Sequence, residues 1–431
     1  MNSLRVQSAT LEAVANEIQA ASSLLDPVIE ERARAIVSQV REQGDEALYE
    51  LTQRFDQADV RSLGLRVTED EIAVAAQNVA ADLEQAIATS RANVAAFSEH
   101  SKRVGWTERN HQGALVGEKF DPFQRVGIYI PGGTAPLIST AVMTITLAKV
   151  AGCEEIVVTT PCGPDGSINP DLLHAVHSSG ATEIYRIGGA QAIAALALGV
   201  ESIGKTQKVF GPGNAYVVAA KRALFGSVAI DLLPGPSELL VIADHTAPTS
   251  FIAADLIAQA EHGSGHERVW LLSTSPKILE ETKEQVAAQI ASRSRRDAIE
   301  QALAENGYLI EVDSVATAVE LTNRIAPEHC EIMAEDDEAI AAGLRTAGAI
   351  FLGPYSPTAL GDYVAGPSHV LPTGGAGASF GGLTVDQFQR RTSVVRSDQN
   401  ALRDMWPAVE TLAGLEGLDG HSRSVGIRLD S

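Results

Sequence analysis

The feature that most constrains this chain is a regular alternation of short β-branched runs and amphipathic stretches, which begins at Arg125. Such alternation indicates βαβ units, which form parallel sheets and bind ligands at the carboxyl ends of their strands. Two series of this kind follow each other, with a boundary near Pro234 to Pro236. The predicted strands are 126–130, 155–160, 183–187, 239–243, 268–273, 307–312 and 349–352, and the predicted helices are 138–151, 170–179, 190–199, 250–262, 276–292, 316–325 and 399–413.

The residues before Arg125 follow a helical pattern instead. Apolar side chains recur at helical spacing, as at Leu11, Val14, Ile18 and Leu25, and charged residues fill the faces between them. We interpret this region as a helical layer that covers a sheet. The sequence therefore predicts an α/β fold with two Rossmann-like parallel-sheet domains, an N-terminal helical segment and a C-terminal tail. The predicted divisions are 1–124 for the helical region leading into the first α/β domain, 125–235 for that domain, 236–380 for the second, and 381–431 for the C-terminal helix and tail.

Charge and composition exclude several classes of partner. The formal net charge of -22 disfavours nucleic acid and anionic membranes, because repulsion from phosphates would dominate any non-specific contact. The N-terminus shows no secretory signal, and no apolar run is long enough to span a bilayer. Three irregularly spaced cysteines predict neither a disulfide framework nor a cysteine-based zinc motif. We therefore expect a cytoplasmic protein without nucleic-acid or membrane partners.

Three glycine-rich loops follow predicted strands. They are Pro131-Gly132-Gly133, Gly188-Gly189 and Gly211-Pro212-Gly213-Asn214. Glycine lets the backbone approach a ligand closely, and helix N-termini attract phosphate. None matches the G-x-G-x-x-G fingerprint, and a tight turn is the commoner role for each loop alone. Three at the same end of one sheet favour a ligand site, where Tyr129, Gln191 and Asn214 supply polar or stacking groups.

The second half of the chain has several candidate metal-binding and proton-transfer residues. Gln259 and His262 are three residues apart and share a helix face, although a hydrogen-bonded helix end would show the same spacing. Glu328 and His329 follow a proline that disfavours helix. Adjacent titratable groups suit proton transfer, but a pair of exposed surface residues would give the same sequence pattern. Gln259 and His262, together with an Asp and a further His later in the chain, would suit zinc or a similar divalent ion, but the spacing does not establish that they converge. The later candidates are Asp362, His369, Glu416 and His421.

Taken in order, these motifs resemble the histidinol dehydrogenase family. The resemblance runs from about Arg125 to the C-terminus. It rests on 125–133, 188–196, 211–214, 235–238, 259–262, 327–329, 361–363, 369–375 and 416–421.

The resemblance implies a role for each candidate residue. Gln259, His262, Asp362 and His421 match the ligands of one zinc ion per subunit, and Glu328 and His329 match the acid/base pair. The matches to substrate contacts are Ser237, His369 and Glu416, together with Gln259, His262, His329, Asp362 and His421. The matches to the NAD site are Tyr129, Gln191 and Asn214.

The same resemblance implies a reaction and an assembly. Zinc and NAD+ would serve a four-electron oxidation of L-histidinol to L-histidine through L-histidinal, the last steps of histidine biosynthesis. His329 would accept the alcohol proton, and Glu328 would activate a water for the second step. Such proteins are homodimers in which the C-terminal tail completes the partner's active site, so we expect shared active sites.

Two other functions stay open at this point. Sulfopropanediol dehydrogenase is a relative on the same scaffold, but its sulfonate would require a cation where this chain has acidic Glu416, although Arg423 is nearby. A zinc hydrolase could use Glu328 and His329 on a metal-bound water, but it would not need the glycine-rich loops. The loop 377–383 lacks the basic residue and the serines typical of the family, which leaves its effect on the substrate open.

Overall fold

The computed structural model describes residues 1–20, 26–132, 136–263 and 265–430. Two parallel sheets and one small antiparallel sheet form its framework, with helices packed on the parallel sheets. The predicted α/β class is confirmed. The predictions for Leu25 and for Gly133 lie outside the described residues. The strands are β1 (Asn2–Val6), β2 (Trp106–Arg109), β3 (Leu115–Pro122), β4 (Arg125–Tyr129), β5 (Glu155–Thr160), β6 (Glu183–Arg186), β7 (Lys208–Phe210), β8 (Ala229–Ile230), β9 (Glu238–Ala243), β10 (Arg268–Ser273), β11 (Gly307–Val312), β12 (His329–Met333), β13 (Ala349–Leu352) and β14 (Gln389–Arg396).

The helices occupy most of the positions that hydrophobic periodicity predicts. Several begin at favourable residues, such as α2 at Pro27 after the cap residue Asp26, and α7 at Pro170 after Asn169. They are α1 (Leu11–Ala20), α2 (Pro27–Gln43), α3 (Asp45–Phe55), α4 (Glu69–Gln77), α5 (Ala81–Ser101), α6 (Ile138–Ala151), α7 (Pro170–Ser179), α8 (Gly189–Leu198), α9 (Ala215–Leu224), α10 (Thr249–Ala260), α11 (Pro276–Ile290), α12 (Arg296–Asn306), α13 (Val315–Ile325), α14 (Asp337–Gly343), α15 (Thr358–Tyr363), α16 (Gln399–Leu415) and α17 (Asp419–Gly426).

The first parallel sheet has five strands in the order β6-β5-β4-β7-β8. The chain moves outward from β4 to β6, then crosses back to β7 on the other side of β4, so the strand order reverses between β4 and β7. A reversal of this kind opens a crevice at the carboxyl ends of the strands. The three glycine-rich loops follow β4, β6 and β7, and therefore lie at this edge.

The second parallel sheet has six strands in the order β1-β11-β10-β9-β12-β13. Its first strand, Asn2–Val6, pairs in parallel with β11, although the sequence was interpreted as helical there. The helical interpretation failed because five residues at a sheet edge carry little apolar periodicity, and only the pairing with β11 makes them a strand. Helix α1 packs into the core of this second sheet, whereas α2 packs on α8 and α9 beside the first.

The antiparallel sheet, in the order β14-β3-β2, was not predicted. Strand β14 lies in the segment where the sequence predicted only a helix and a tail. All four residues of β2 are exposed, and so is most of β14. Exposed strands of this kind show little of the alternation that marks a half-buried strand, so single-sequence patterns miss them.

The cores consist of apolar side chains from both faces of each parallel sheet. Val126, Ile128 and Val158 are fully buried between α6, α7 and the first parallel sheet, and Leu240 and Trp270 are buried in the core of the second parallel sheet. Each such aliphatic side chain contributes about 1.5–3 kcal/mol by leaving water. The rigid sheets that result hold the strand ends, and the polar side chains next to them, in fixed positions. No helix among the described residues is long and apolar enough to cross a membrane.

Candidate active site

The candidate acid and base lie at the junction between the end of α13 and the start of β12. Ala326 ends the helix in a left-handed conformation (φ 52°), and Pro327 cannot continue it. Glu328 therefore directly precedes β12 and His329 begins it, between β9 and the edge strand β13 of the second sheet, and both residues are about 95% buried. The prediction of a turn or strand start at this point is confirmed, but the alternative of a surface pair is not.

Both side chains bond to the backbone of Glu238 on the neighbouring strand β9. The Glu238 N–H donates to Oε2 of Glu328 at 2.8 Å. The Glu238 carbonyl lies 2.9 Å from Nδ1 of His329 and can only accept, so Nδ1 carries a proton. The remaining ring nitrogen, Nε2, is turned towards Asp362, whose Oδ1 is 3.7 Å away. Nε2 is thus the ring nitrogen of His329 that is not bound to the backbone and that faces a carboxylate.

Burial and neighbouring charges shift the pKa values of both Glu328 and His329. Burial raises the pKa of Glu328 to about 8. Burial alone would lower the pKa of His329, but the nearby carboxylates of Glu328 and Asp362 outweigh it and raise that pKa to about 9. Perturbed pKa values of this size in a cleft are typical of groups that transfer protons.

Asp362 lies on the short helix α15, not in a loop as the sequence indicated. Its backbone carbonyl accepts from Nδ1 of His369 at 2.9 Å, and Nε2 of that ring is 3.2 Å from the Thr140 hydroxyl. Burial would raise the pKa of the Asp362 carboxyl, but His329, His369 and His262 together lower it. Three imidazoles therefore act electrostatically on one carboxylate.

Gln259 and His262 lie at the end of α10. The Gln259 side chain is buried, and its Nε2 has no hydrogen-bond partner within the described residues. Nδ1 of His262 is 3.0 Å from the Gln259 carbonyl oxygen, and among the described residues Nε2 makes no hydrogen bond; the residue is exposed. A histidine that binds a metal commonly donates its other nitrogen in this way.

A cavity of about 280 Å³ opens beside these groups. It is large enough for a small polar molecule, and its wall combines titratable and apolar side chains. Ser237 directly precedes Glu238 at the start of β9. The residues that line the cavity include His329, Asp362, Ser368, His369, Phe97 and Phe351.

The donors of one chain fit a divalent ion only in part. Gln259 and His262 at the end of α10, and Asp362 on α15, which contacts α10, offer amide, imidazole and carboxylate groups, the nitrogen and oxygen donors that zinc accepts. Across the described ranges, no group of three or more His, Cys, Asp and Glu side chains is arranged to hold a metal. Within the described residues, these three donors would therefore leave a tetrahedral site one ligand short.

The structure does not bring the two C-terminal candidates to this site. Glu416 ends α16, and His421 lies on α17, where the sequence predicted an irregular tail. Both side chains are exposed, and the two helices pack mainly on each other. In the described part of the chain, neither residue makes a hydrogen bond or an ion pair to the cavity residues.

The glycine-rich loops form a second polar edge, at the first sheet. The Gly189 N–H donates to the Tyr129 hydroxyl at 3.3 Å, and Tyr129 is 96% buried. Oε1 of Gln191 and Oγ1 of Thr160 are buried and without partners among the described residues. Asn214 accepts from the backbone N–H groups of residues 216 and 217, and so caps α9. Unpartnered buried oxygens at a strand-order reversal are suited to a polar ligand such as a dinucleotide.

Sequence reasoning missed several residues of these sites. Asp56, at the end of α3, contributes a negative charge near Tyr129, and burial raises the pKa of its carboxyl to about 6. Thr140 contacts His369 from the first domain, and Glu238 orients the acid/base pair. Only Glu238 had a sequence signal, since it ends the 235–238 motif. The others come from distant parts of the chain.

Fold and site together define an α/β enzyme with a buried acid/base pair beside a candidate metal site. The histidinol dehydrogenase family model matches residues 20–429. A histidinol dehydrogenase of Synechococcus sp. is 43% identical over 408 residues, 94% of each chain, and one of Geobacillus kaustophilus is 42% identical over 93% of this chain and 95% of its own. The crystal structure of histidinol dehydrogenase from Elizabethkingia anophelis superposes with a TM-score of 0.93 at 34% identity, covering 100% of this chain and 98% of that one.

The chain belongs to the histidinol dehydrogenase family. It is an oxidoreductase, which agrees with the buried proton-transfer groups.

Proposed function

We propose that this protein catalyses the NAD-linked, zinc-dependent oxidation of L-histidinol to L-histidine through L-histidinal. The observation that supports this most strongly is the Glu328–His329 pair, buried and oriented by Glu238, next to a cavity bordered by Asp362 and His369. An amino alcohol with an imidazole ring offers nitrogen and oxygen atoms to each of these groups. The names of the relatives point to the same substrate.

Gln259, His262 and Asp362 would hold the zinc ion, with His421 of a second copy as the fourth ligand. Bound there, zinc would fix the amine and imidazole of the substrate and so orient its carbinol carbon. The free Nε2 of His262 and the low pKa of Asp362 support this assignment. Ser237, His369 and Glu416 are the proposed further substrate contacts.

His329 is the proposed base of the first oxidation. Its Nδ1–H is fixed on Glu238, so Nε2 is the nitrogen that accepts the alcohol proton. Glu328 is the proposed base of the second step, where it takes a proton from the water that adds to the aldehyde. Both groups are buried, which keeps bulk water away from the reactive aldehyde.

NAD is proposed to bind at the loops after β4, β6 and β7, with Tyr129, Gln191 and Asn214 as contacts. When bound, NAD supplies the hydride acceptor. The unpartnered oxygens of Gln191 and Thr160 support a polar ligand there. Tyr129 would line the pocket floor, since its ring is nearly buried.

A homodimer with shared sites is proposed because the site of one chain lacks Glu416 and His421. Leu412, Leu415 and Val395 are 61–82% exposed on α16 and β14, where water would otherwise cover apolar surface. A second copy docked against this region would bury those side chains. It would also bring α17 to the partner's cavity.

The first test follows NADH formation by the zinc-loaded protein at alkaline pH, where His329, with a pKa of about 9, can accept a proton. The substrates are L-histidinol and, separately, 2,3-dihydroxypropane-1-sulfonate. We expect about two NADH per histidinol, and no turnover after a chelator or in His329→Ala. Turnover of the sulfonate alone would replace the substrate assignment with that of sulfopropanediol dehydrogenase. Hydrolysis without NAD would favour a zinc hydrolase.

A further inference from the structure

Two acidic side chains from different elements meet behind the candidate active site. Glu331 lies two residues after His329 on β12, on the same face of the strand, and is 99% buried. Asp255 lies on α10, about one turn before Gln259. Their carboxyl groups are in hydrogen-bonding contact. The contact therefore links the strand of the proposed base to the helix of a proposed metal ligand.

A third element joins the same pair. Oε1 of Glu331 accepts from the backbone N–H of Thr358 at 2.7 Å. Thr358 is the first residue of α15, and Asp362 follows one turn later. Glu331 therefore connects β12, α10 and α15, each of which supplies a residue of the site.

The contact between the two acids requires a proton. The other oxygen of Glu331, Oε2, is buried and meets no N–H or O–H donor within the described residues. Two ionised carboxylates at this contact would repel each other, whereas one shared proton turns the contact into a hydrogen bond. Burial raises the pKa of Asp255 to about 6 and holds the pKa of Glu331 well above its usual range. His329 is the other titratable group that acts on Glu331, and its positive charge opposes this rise.

We propose that Asp255 and Glu331 form one acid pair that shares a single proton and positions the active site by joining α10, β12 and α15. They are positioning residues: they touch neither substrate nor metal, but they set the separation of Gln259, His329 and Asp362. Small displacements of such groups cost large factors in rate. The inference rests on the proposed function for its catalytic consequence, but not for the proton itself.

The test compares an amide with an apolar side chain at the same position. In Glu331→Gln, the amide oxygen can still accept from Thr358 and the amide N–H can replace the shared proton. In Glu331→Leu, both bonds are lost. We expect Glu331→Gln to keep kcat with L-histidinol and Zn²⁺ affinity within about threefold of the wild type. We expect Glu331→Leu to lose at least about tenfold in both, because a lost orienting contact of this kind costs 10–100-fold.

A control separates positioning from a general loss of stability. Thr282→Val changes another fully buried polar side chain, on α11, which packs against α10. It should leave kcat and Zn²⁺ affinity unchanged even if the unfolding temperature falls. If Glu331→Gln loses as much as Glu331→Leu, the pair functions as anions and the proposal is wrong. It is equally wrong if Glu331→Leu keeps full kcat and Zn²⁺ affinity.

A spectroscopic test does not depend on activity or on the folding of the leucine variant. The infrared difference spectrum of the wild type minus the double variant Asp255→Asn/Glu331→Gln, both at pH 7, should contain the carbonyl band of one protonated carboxylic acid, because the band of Glu328 is common to both proteins and cancels. A difference spectrum without this band would overturn the shared proton. If the wild type fails to oxidise histidinol but shows the band and binds Zn²⁺, the proposed function fails while the acid pair stands.

Discussion

The backbone of one residue, Glu238, sets the direction of both proton-transfer groups. Its N–H donates to Glu328 and its carbonyl accepts from His329. This is possible because β9 and β12 run in parallel with His329 opposite Leu239. Main-chain atoms at the centre of a sheet hardly move, so the two side chains keep their orientation without a ligand. The acid and the base are therefore preorganised by strand pairing.

Glu328→Gln should separate the two oxidations. The amide oxygen can still accept from the Glu238 N–H, so the fold and the alcohol oxidation by His329 should persist. A glutamine cannot take a proton from water, so oxidation of added histidinal should slow by about 10²–10⁴-fold. Single-turnover NADH formation from each substrate measures the two steps. An equal loss with histidinol and histidinal would contradict the assignment of Glu328 to the second step.

At the scale of elements, a buried ion pair shapes the turn after β7. The Lys221 ammonium donates to the Gly211 carbonyl at 2.5 Å and to Asp231, and Asp231 accepts from the Gly211 N–H at 2.7 Å. Both charged side chains are fully buried. Gly211 has φ 111°, and a Cβ there would lie 2.0 Å from the Tyr129 carbonyl oxygen. The turn therefore requires glycine, and the ion pair holds both of its backbone groups.

Lys221→Met should destabilise the protein by about 3–5 kcal/mol, because it leaves the Asp231 charge buried and unpaired. The double variant Lys221→Met/Asp231→Leu should recover part of that loss. Lys277→Met, whose side chain is 79% exposed, is the matched control and should change stability by less than about 0.5 kcal/mol. Urea unfolding measures all three. An equally small effect at Lys221 and Lys277 would show that the buried pair is unimportant.

A second ion-pair cluster, at the amino ends of β4, β5 and β6, should make stability depend on pH. Arg125 donates to Glu183 at 2.6 and 2.9 Å and also pairs with Glu155. The Arg125 hydrogen bond lowers the pKa of Glu183 in the folded protein. The stabilisation is therefore present above the unfolded pKa of glutamate and is lost as the pH falls through the lowered folded value.

Arg125→Met should accordingly lower the free energy of unfolding most near pH 7. The difference in free energy of unfolding between this variant and the wild type should shrink below about pH 5. Arg61→Met, which breaks a pair whose side chains are about half exposed, should have little effect at either pH. Urea titrations at pH 7 and 4 make the comparison. A difference for Arg125→Met that stays constant over this range would contradict the role of Glu183.

At the scale of the whole molecule, the proposed site is incomplete in one chain. The body of the chain supplies Gln259, His262, Glu328, His329 and Asp362, whereas His421 projects from exposed helices that contact the body little. If the tail of a second copy completes the site, each active site draws on two subunits. Subunit mixing can detect this.

Co-refolding equal amounts of the inactive variants His329→Ala and His421→Ala should restore about a quarter of wild-type activity. Half of the dimers would then be mixed, since random pairing of two equal pools is binomial, and each mixed dimer would have one intact site of two. Refolding each variant alone should give no activity. If the mixture also stays inactive while mixed dimers are shown to form, the tail does not cross between subunits.

Much of the fold could be predicted because its signals are local. Helix α6 and strands β5 and β10 have the predicted bounds, since their apolar runs end at glycine, proline or polar residues. Strand β1 and the antiparallel sheet could not be predicted in this way. Their residues are exposed or at edges, and they become strands only because a distant segment pairs with them.

For the site, sequence alone determined which residue types were available. The Glu328–His329 dipeptide, the Gln259–His262 spacing and the glycine-rich loops could be recognised because their residues are neighbours in the chain. Tertiary structure alone decided that Asp362, His369 and Thr140 meet, that Glu238 orients the acid and base, and that Asp255 reaches Glu331. Apart from the contact between Asp362 and His369, these contacts join residues tens to hundreds of positions apart. Their formation depends on strand order and helix packing, which are set by burial of the whole apolar surface and not by any local pattern.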